Sequence, residues 1–193
     1  MKSSEKLPIR GFTTQQDWEA WLAEHYADPT GIWLKIAKKA TGVLSISYSE
    51  ALEGALCYGW IDGQKAAFDE QYWLQKFTPR HAKSIWSQIN CDKATTLIET
   101  GRIQPTGLRQ IELAKADGRW EAAYAGQSKA TVPDDLQEAL DKNPQACDFF
   151  LTLNSVNRYA ILFRVQTARK AETRAARIQK FVEMLAKGEK LYP

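Results

Sequence analysis

Two neighbouring segments constrain the fold of this chain more than any other feature: WIDGQKAAF at residues 60–68 and QYWLQKFT at residues 71–78. Both have the aromatic and amide side chains of extended runs, and the acidic, turn-prone pair Asp69-Glu70 separates them. The simplest structure that joins them is an antiparallel hairpin. Because an isolated hairpin is barely stable in water, the pattern predicts a small sheet that helices cover.

The dipeptide Asp62-Gly63 inside the first segment has two interpretations. Asp-Gly is favoured in two-residue hairpin turns, which would end the strand at this point. Too little chain lies between Gly59 and Asp62 for a strand to form before such a turn. We therefore place Asp62 within or beside a strand, and predict that Gly63 marks a β-bulge or a close approach of another backbone.

The chain before the hairpin alternates between helical and extended patterns. In order, we predict a helix over residues 14–26, a strand in GIWLKIAKK, a second short strand in VLSIS and a helix in YSEALEGALCYG. Thr13 and Gln16 have the spacing of a capping box at the first of these helices. Ser47 or Ser49 is the expected N-cap of the second helix, and Gly59 is its expected end.

After Pro79 the extended pattern stops, and the further periodic segments are helical. The predicted helices begin at Ser84 or Ser87, near Pro105-Thr106, at Asp134, at Asn143-Pro144, at Asn154 or Ser155, and at Ala171. The helix that begins near Pro105 is expected to bury Leu108, Ile111 and Ala114. GRWEAAYAGQSKATVP is the one long stretch without a period, which makes it the candidate boundary.

These patterns together predict an α+β protein. An α+β domain over residues 1–118 would hold a small antiparallel or mixed sheet packed by helices. A linker over residues 119–133 would join it to an all-helical carboxy-terminal domain over residues 134–193. The hairpin, with its aromatic and polar side chains, lies in the first of these domains.

Composition excludes several classes of protein. With 44% hydrophobic residues in 193, the chain can bury a full core, and a formal net charge of +3 gives little general attraction to nucleic acid or acidic membranes. Cys57, Cys91 and Cys147 form no CxxC pair, so we expect reduced thiols and no metal site. MKSSEKLPIRGF has no apolar core of a signal peptide, and no run reaches about eighteen apolar residues, so we expect a cytoplasmic location without membrane insertion.

Three long segments, YSEALEGALCYGWIDGQ, YWLQKFTPRHAKSIWSQIN and GRIQPTGLRQIELAKADGRW, resemble the YdeI/OmpD-associated family, which is described as a group of bacteriocin-protection proteins. The motifs GWIDG, KFTPR and SIWSQIN carry the resemblance, which extends over almost the whole chain. FTTQQDWEAWLAEH resembles the family's opening helix, and KAETRAARIQKFVEMLAKGEK resembles its carboxy-terminal helical domain. The chain departs from the family at Ala171 and at Gln104–Gly107, both at the start of a helix.

The resemblance implies a soluble bacterial protein that confers tolerance of bacteriocins or other envelope-directed stress. It implies no cofactor and no catalytic residue, since none is established for the family. The resemblance therefore names a class of protein without naming the chemistry of its site.

Polar and aromatic side chains around the hairpin form the candidate site. Alternation puts Trp60, Asp62 and Gln64 on one face of the first strand. Burying such polar groups without partners costs roughly 2–7 kcal/mol each on transfer scales, so they must satisfy one another or line a recess. The predicted pocket has Trp60, Tyr72 and Trp86 as walls, Asp62, Gln64 and Gln75 as polar groups, Arg80 as an anion anchor and Lys65 at the rim.

Two interpretations of this group follow from its charges. In the first, Asp62 and Arg80 form a charge-assisted pair that braces the hairpin against the helix of Trp86. In the second, the same side chains line a pocket that binds a small molecule or peptide. The sequence leaves both open.

Catalysis and macromolecular interaction are the alternative functions. Cys57 has no neighbouring histidine and Ser84 lacks a GxSxG setting, so an unrecognised hydrolase or transferase is only the third hypothesis and no catalytic residue is predicted. Residues 154–190 hold nine basic and three acidic side chains. A basic helix with Arg174 and Arg177 would bind an acidic protein partner or nucleic acid, or its basic face is simply solvated. Nucleic acid is the less favoured partner, because aromatic residues are not interleaved with the basic side chains for base stacking.

Overall fold

A computed structural model describes residues 7–193 of the chain. The described part forms two compact units. Unit 1 comprises the chain up to Trp86 together with Asn90–Glu121, and unit 2 comprises Ser87–Ile89 together with Ala122–Pro193. The predicted linker, residues 119–133, includes the point where the chain passes from unit 1 to unit 2. The first six residues of MKSSEKLPIRGF lie outside the described residues.

Unit 1 contains a four-stranded mixed sheet, which confirms the predicted α+β class. The strands are β1 (Ile9–Gly11), β2 (Ile32–Ala37), β3 (Trp60–Ala67) and β4 (Tyr72–Pro79). Their order is β1-β2-β4-β3, in which β1 and β2 are parallel and the other neighbours are antiparallel. The predicted hairpin is thus the β3–β4 pair, and it forms one edge of the sheet.

The predicted bulge lies at Gly63. Asp62 pairs with Phe77, whereas the next paired residue, Lys65, faces Gln75 across the strands. Phe77 and Gln75 are two residues apart on β4 and therefore share a face, so their partners Asp62 and Lys65 share that face too. Without the bulge, Lys65 would project from the opposite face of the sheet.

Helices cover one face of this sheet. The helices in this part of the chain are α1 (Gln15–His25), α2 (Tyr48–Cys57), α3 (Gln88–Glu99) and α4 (Pro105–Ala116). The core between the sheet and the first two helices consists of Trp18, Leu22, Ile32, Leu34, Ile36, Ile46, Ala51, Ala55, Trp60 and Phe77. Trp18 is fully buried in it and donates a hydrogen bond from Nε1 to the Ala51 carbonyl at 2.9 Å, which ties α1 to α2.

The structure corrects the second predicted strand, because VLSIS forms no strand. The backbone N–H of Ala37 donates to the Ser45 hydroxyl at 2.9 Å, and that of Ile46 donates to the Phe12 carbonyl at 3.0 Å. These isolated hydrogen bonds take the place of a strand ladder. Ile46 is buried, whereas Leu44, two positions before it, is 85% exposed, so the segment does not have the single buried face of a strand.

Two smaller expectations are also corrected, and one strand was not predicted. The N-cap of α1 is Thr14, whose hydroxyl accepts from the Asp17 N–H, and the capping box at Thr13 is therefore wrong. Leu108 is 37% exposed on α4, whereas its neighbours on the predicted stripe are buried. Strand β1 was not expected, because its three exposed residues show no period.

Unit 2 is helical and has its own core. Its helices are α5 (Asp134–Asp141), α6 (Pro144–Thr152), α7 (Ser155–Gln166) and α8 (Ala171–Ala186). Asn143 and Asn154 cap α6 and α7 through their side-chain oxygens, as the sequence predicts. The fully buried Leu136, Ile161, Val165 and Leu185 lie at the centre of the core. No helix in residues 7–193 is long and apolar enough to cross a membrane.

The three cysteines differ in burial, so their reactivity tests how the two units are packed. Burial raises the pKa of Cys57 and of Cys91 to about 11, whereas Cys147 is only half-buried. The thiolate is the reactive form, and at about pH 8 both buried thiols stay protonated because this pH lies far below their folded pKa. In native protein, iodoacetamide is therefore expected to alkylate Cys147 first, and all three cysteines only in denaturant.

Mass spectrometry of the peptides would measure this order. Cys147→Ser is the control, since it should remove the early label without changing the other two. Equal rates at Cys57 and Cys147 in the native protein would contradict the burial of Cys57.

Candidate functional site

Five side chains meet where the amino terminus of α2 approaches the β3–β4 hairpin, and we call them the Tyr48 cluster: Tyr48, Asp62, Lys65, Trp73 and Gln75. Tyr48 is the first residue of α2, directly after the N-cap Ser47, whose capping box with Glu50 fixes the start of the helix. The Tyr48 hydroxyl donates to Oδ2 of Asp62 at 2.8 Å. This bond joins the helix to the strand just before the bulge.

A cation lies over two aromatic rings of this cluster. The rings of Tyr48 and Trp73 have centroids 6.2 Å apart and are tilted by 46°. The Lys65 ammonium is 5.1 Å from the Trp73 centroid and 5.5 Å from that of Tyr48. Both distances are within the roughly 6 Å range of cation–π attraction. Lys65 itself is exposed, and both rings are half-buried, so this arrangement lies at the surface of unit 1.

Gln75 stabilises the bulge that separates Asp62 from Lys65. Its side chain is fully buried, and Nε2 donates to the Gly63 carbonyl at 2.9 Å. Oε1 of Gln75 is buried and has no hydrogen-bond partner among the described residues. A buried acceptor without a partner costs about 1–3 kcal/mol, so the hydrogen bond that Gln75 makes to the bulge is partly offset by this oxygen.

The remaining members of the predicted pocket on the strands have other neighbours. Trp60 is fully buried in the core, where Nε1 donates to the Tyr26 carbonyl at 3.0 Å. Tyr72 is half-buried under the Lys35 ammonium, which lies 4.3 Å from the centre of its ring. The Gln64 side chain is exposed on the bulge.

Arg80 and Trp86 form a separate stack in unit 1. The Arg80 guanidinium lies 3.5 Å from the centre of the Trp86 ring, and its NH1 donates to the Ile85 carbonyl at 3.2 Å. Trp86 in turn packs on Trp120, with centroids 4.9 Å apart. Asp62 thus contacts Tyr48, whereas Arg80 contacts Trp86 and the Ile85 carbonyl. A single pocket lined by all eight predicted residues stays a prediction.

Sequence reasoning did not include Tyr48 and Trp73 in the site. Trp73 had a usable signal, because alternation places it on the same face of β4 as Gln75. No sequence signal places Tyr48 in the site, because its contact with Asp62 depends on how α2 packs against the sheet.

Ser84 and Cys57, the side chains considered for catalysis, have structural roles, and so does the neighbouring His81. The Ser84 hydroxyl accepts from the backbone N–H of His81 at 3.1 Å, and His81 Nδ1 accepts from the N–H of Lys83 at 3.2 Å. Burial keeps the Cys57 thiol protonated through its raised pKa. Within residues 7–193, no group of three or more His, Cys, Asp or Glu side chains is placed to hold a metal ion.

The two arginines of the basic helix contact other parts of unit 2. Arg174 donates from NH2 to Asp135 Oδ1 at 2.7 Å and from NH1 to the Val165 carbonyl at 3.0 Å. Arg177 donates to the Arg164 carbonyl. These bonds join α8 to α5 and α7. Binding of an acidic partner by this helix stays a prediction.

Comparison with known families divides the chain into two parts. Residues 10–110, more than half of the chain, match the model of a domain of unknown function, DUF8412. The chain belongs to the DUF8412 family. Residues 129–188 of this DUF8412 protein match a second family model, described as bacteriocin-protection, YdeI or OmpD-associated. No curated protein and no solved structure gives a significant match.

The second match confirms the YdeI/OmpD-associated resemblance, and it does so in the helical part of the chain. The motifs GWIDG and KFTPR lie instead within the DUF8412 match, as do all the residues of the Tyr48 cluster. The Tyr48 cluster therefore belongs to a domain for which the family description gives no function.

Proposed function

We propose that this DUF8412 protein is a cytoplasmic stress-tolerance protein of the bacteriocin-protection type, which acts by binding a small molecule or peptide at the Tyr48 cluster. The family match of residues 129–188 supports the protection role. The observation that carries the binding role is the Lys65 ammonium over the Tyr48 and Trp73 rings, with the Tyr48 hydroxyl bonded to the Asp62 carboxylate.

The proposed ligand carries a cationic group. Two aromatic faces and a carboxylate are the groups that bind an organic ammonium or a basic side chain. The chain's own Lys65 occupies this position, but an exposed cation–π contact is worth only about 0.5–1 kcal/mol. A ligand cation that also contacts Asp62 would displace it, and Lys65 would move into solvent.

Isothermal titration with benzyltrimethylammonium and with a hexalysine peptide tests this proposal. Trp73→Ala is expected to weaken binding roughly 2- to 5-fold through loss of one aromatic face. Lys65→Ala is expected to strengthen binding, because it removes the internal competitor. Lys35→Ala is the matched control, since it removes the same charge from the Tyr72 ring and should change affinity little.

Weaker binding of these cations by Lys65→Ala would overturn the cation-binding role, since Lys65 would then support the probe's binding instead of competing with it. Binding of neither probe to the wild-type protein would do the same. Melting curves of each variant separate a loss of binding from a loss of fold. In the bacterium that encodes this chain, Trp73→Ala is also expected to lower survival of a bacteriocin challenge at unchanged protein level.

A further inference from the structure

Unit 2 contains a cavity of about 340 Å³ that both polar and apolar side chains line. Gln127, Ser155, Arg158 and Tyr159 supply its polar groups, while Leu153 and Leu162 are the buried apolar residues of its wall. The volume is at the lower end of the range for small-molecule sites, about 300–1,000 Å³. The cavity lies wholly within unit 2 and is distinct from the Tyr48 cluster.

Arg158 is the one ionisable cation of this cavity. Its guanidinium is held by a hydrogen bond from NH2 to the Leu151 carbonyl at 2.9 Å, and its Cζ lies 5.5 Å from the centre of the Phe150 ring. Both contacts reduce the number of conformations open to the side chain. A guanidinium held in one place is suited to bind a planar or tetrahedral oxyanion through two parallel hydrogen bonds.

Most of the donors of Arg158 have no hydrogen-bond partner among the described residues. Nε is buried and has no hydrogen-bond partner among the described residues. The ion pairs of the described part give carboxylates to Arg102, Arg119 and Arg174 but none to Arg158. Within residues 7–193 the Arg158 charge therefore lacks a close counter-ion, and the residue lines the cavity.

The other polar groups define what else the ligand would contain. The Tyr159 hydroxyl donates its proton to the Ala125 carbonyl at 3.1 Å, so towards a ligand its oxygen acts as an acceptor. The Ser155 hydroxyl and the Gln127 amide offer donors, and both residues are exposed. Leu153 and Leu162 favour an apolar group beside the anion.

We propose that this cavity binds a small organic oxyanion, a carboxylate or a phosphate ester, through Arg158. The apolar part of the ligand lies against Leu153 and Leu162. This site lies in the segment that matches the bacteriocin-protection family, and it does not depend on the site proposed for unit 1.

The experiment is a titration of the full chain, followed by amide NMR, with sodium benzoate and with phenyl phosphate at constant ionic strength. Benzyl alcohol is the uncharged control ligand. We expect about millimolar affinity for at least one of the two anions, with shifts at residues 155–159 and Gln127, and no binding of the alcohol. The anion that binds with the higher affinity shows whether the site prefers a carboxylate or a phosphate group.

Two variants decide whether Arg158 makes the contact. Arg158→Gln is expected to lower affinity at least about tenfold, since it removes a hydrogen-bonded charge. Arg169→Gln removes the same charge from an exposed arginine of unit 2 and is expected to leave affinity unchanged. Arg158→Lys keeps the charge without the planar fork and is expected to bind more weakly than wild type.

Three results would overturn the proposal. These are shifts of wild-type amides outside the cavity only, equal loss of affinity in Arg158→Gln and Arg169→Gln, or equal binding of benzyl alcohol and the anions. If Arg158→Gln does not fold, the affinity of Arg158→Lys and the positions of the shifted wild-type amides show whether Arg158 contacts the anion. Unchanged affinity in Arg158→Lys would count against the site.

Discussion

Trp18→Ala is expected to lower the free energy of unfolding of unit 1 by about 3–5 kcal/mol. The side chain is fully buried and packs against Phe12, Trp21 and Phe77, with ring centroids 5.3, 5.5 and 5.7 Å away. Alanine would leave a cavity between α1 and the sheet. It would also remove the donor to the Ala51 carbonyl, so that the loss combines packing and a buried hydrogen bond.

Urea denaturation followed by circular dichroism measures this change. Leu44→Ala is the control, because Leu44 is 85% exposed and its replacement should alter stability by no more than about 0.5 kcal/mol. A Trp18→Ala protein as stable as Leu44→Ala would show that α1 does not pack on the sheet as described.

Gly107→Ala is expected to destabilise unit 1 by about 1–3 kcal/mol or more. A Cβ atom at this position would lie 2.2 Å from the Cys57 carbonyl oxygen and 2.7 Å from that of Leu56. Both atoms belong to the backbone at the end of α2, so rotation of a side chain cannot relieve the overlap. The helices would have to separate, which would also disturb the hydrogen bond from the Gln104 N–H to the Cys57 carbonyl at 3.0 Å.

Gly63→Ala is the matched control for this prediction. A Cβ atom there would lie 3.6 Å from the Lys76 Cβ, an ordinary van der Waals distance, so the bulge should accept alanine with little change in stability. The midpoints of thermal unfolding of the two variants compare the sites directly. If Gly107→Ala melts at the temperature of Gly63→Ala, the close approach of α4 to α2 is incorrect.

Local signals determined the hairpin and the bulge. The two extended runs, their acidic turn and Gly63 lie within about twenty residues, and a period of two depends only on the chain's own geometry. The helices of unit 2 were predicted for the same reason, since Asn143 and Asn154 cap them through bonds to residues three positions away. In contrast, VLSIS places Leu44 and Ile46 two positions apart as a strand would, yet it pairs with no neighbouring strand, and Leu44 is exposed.

The sequence by itself determined the class of fold, the hairpin with its bulge and the face on which Asp62 lies, because strand geometry assigns each side chain to one face or the other. Only the tertiary structure decided how deep each residue lies along that face. Trp60 is in the core, whereas Trp73 on the neighbouring strand is half-buried next to Lys65. Likewise, Tyr48 reaches Asp62 across fourteen positions of the chain, because the packing of α2 against the sheet brings them together.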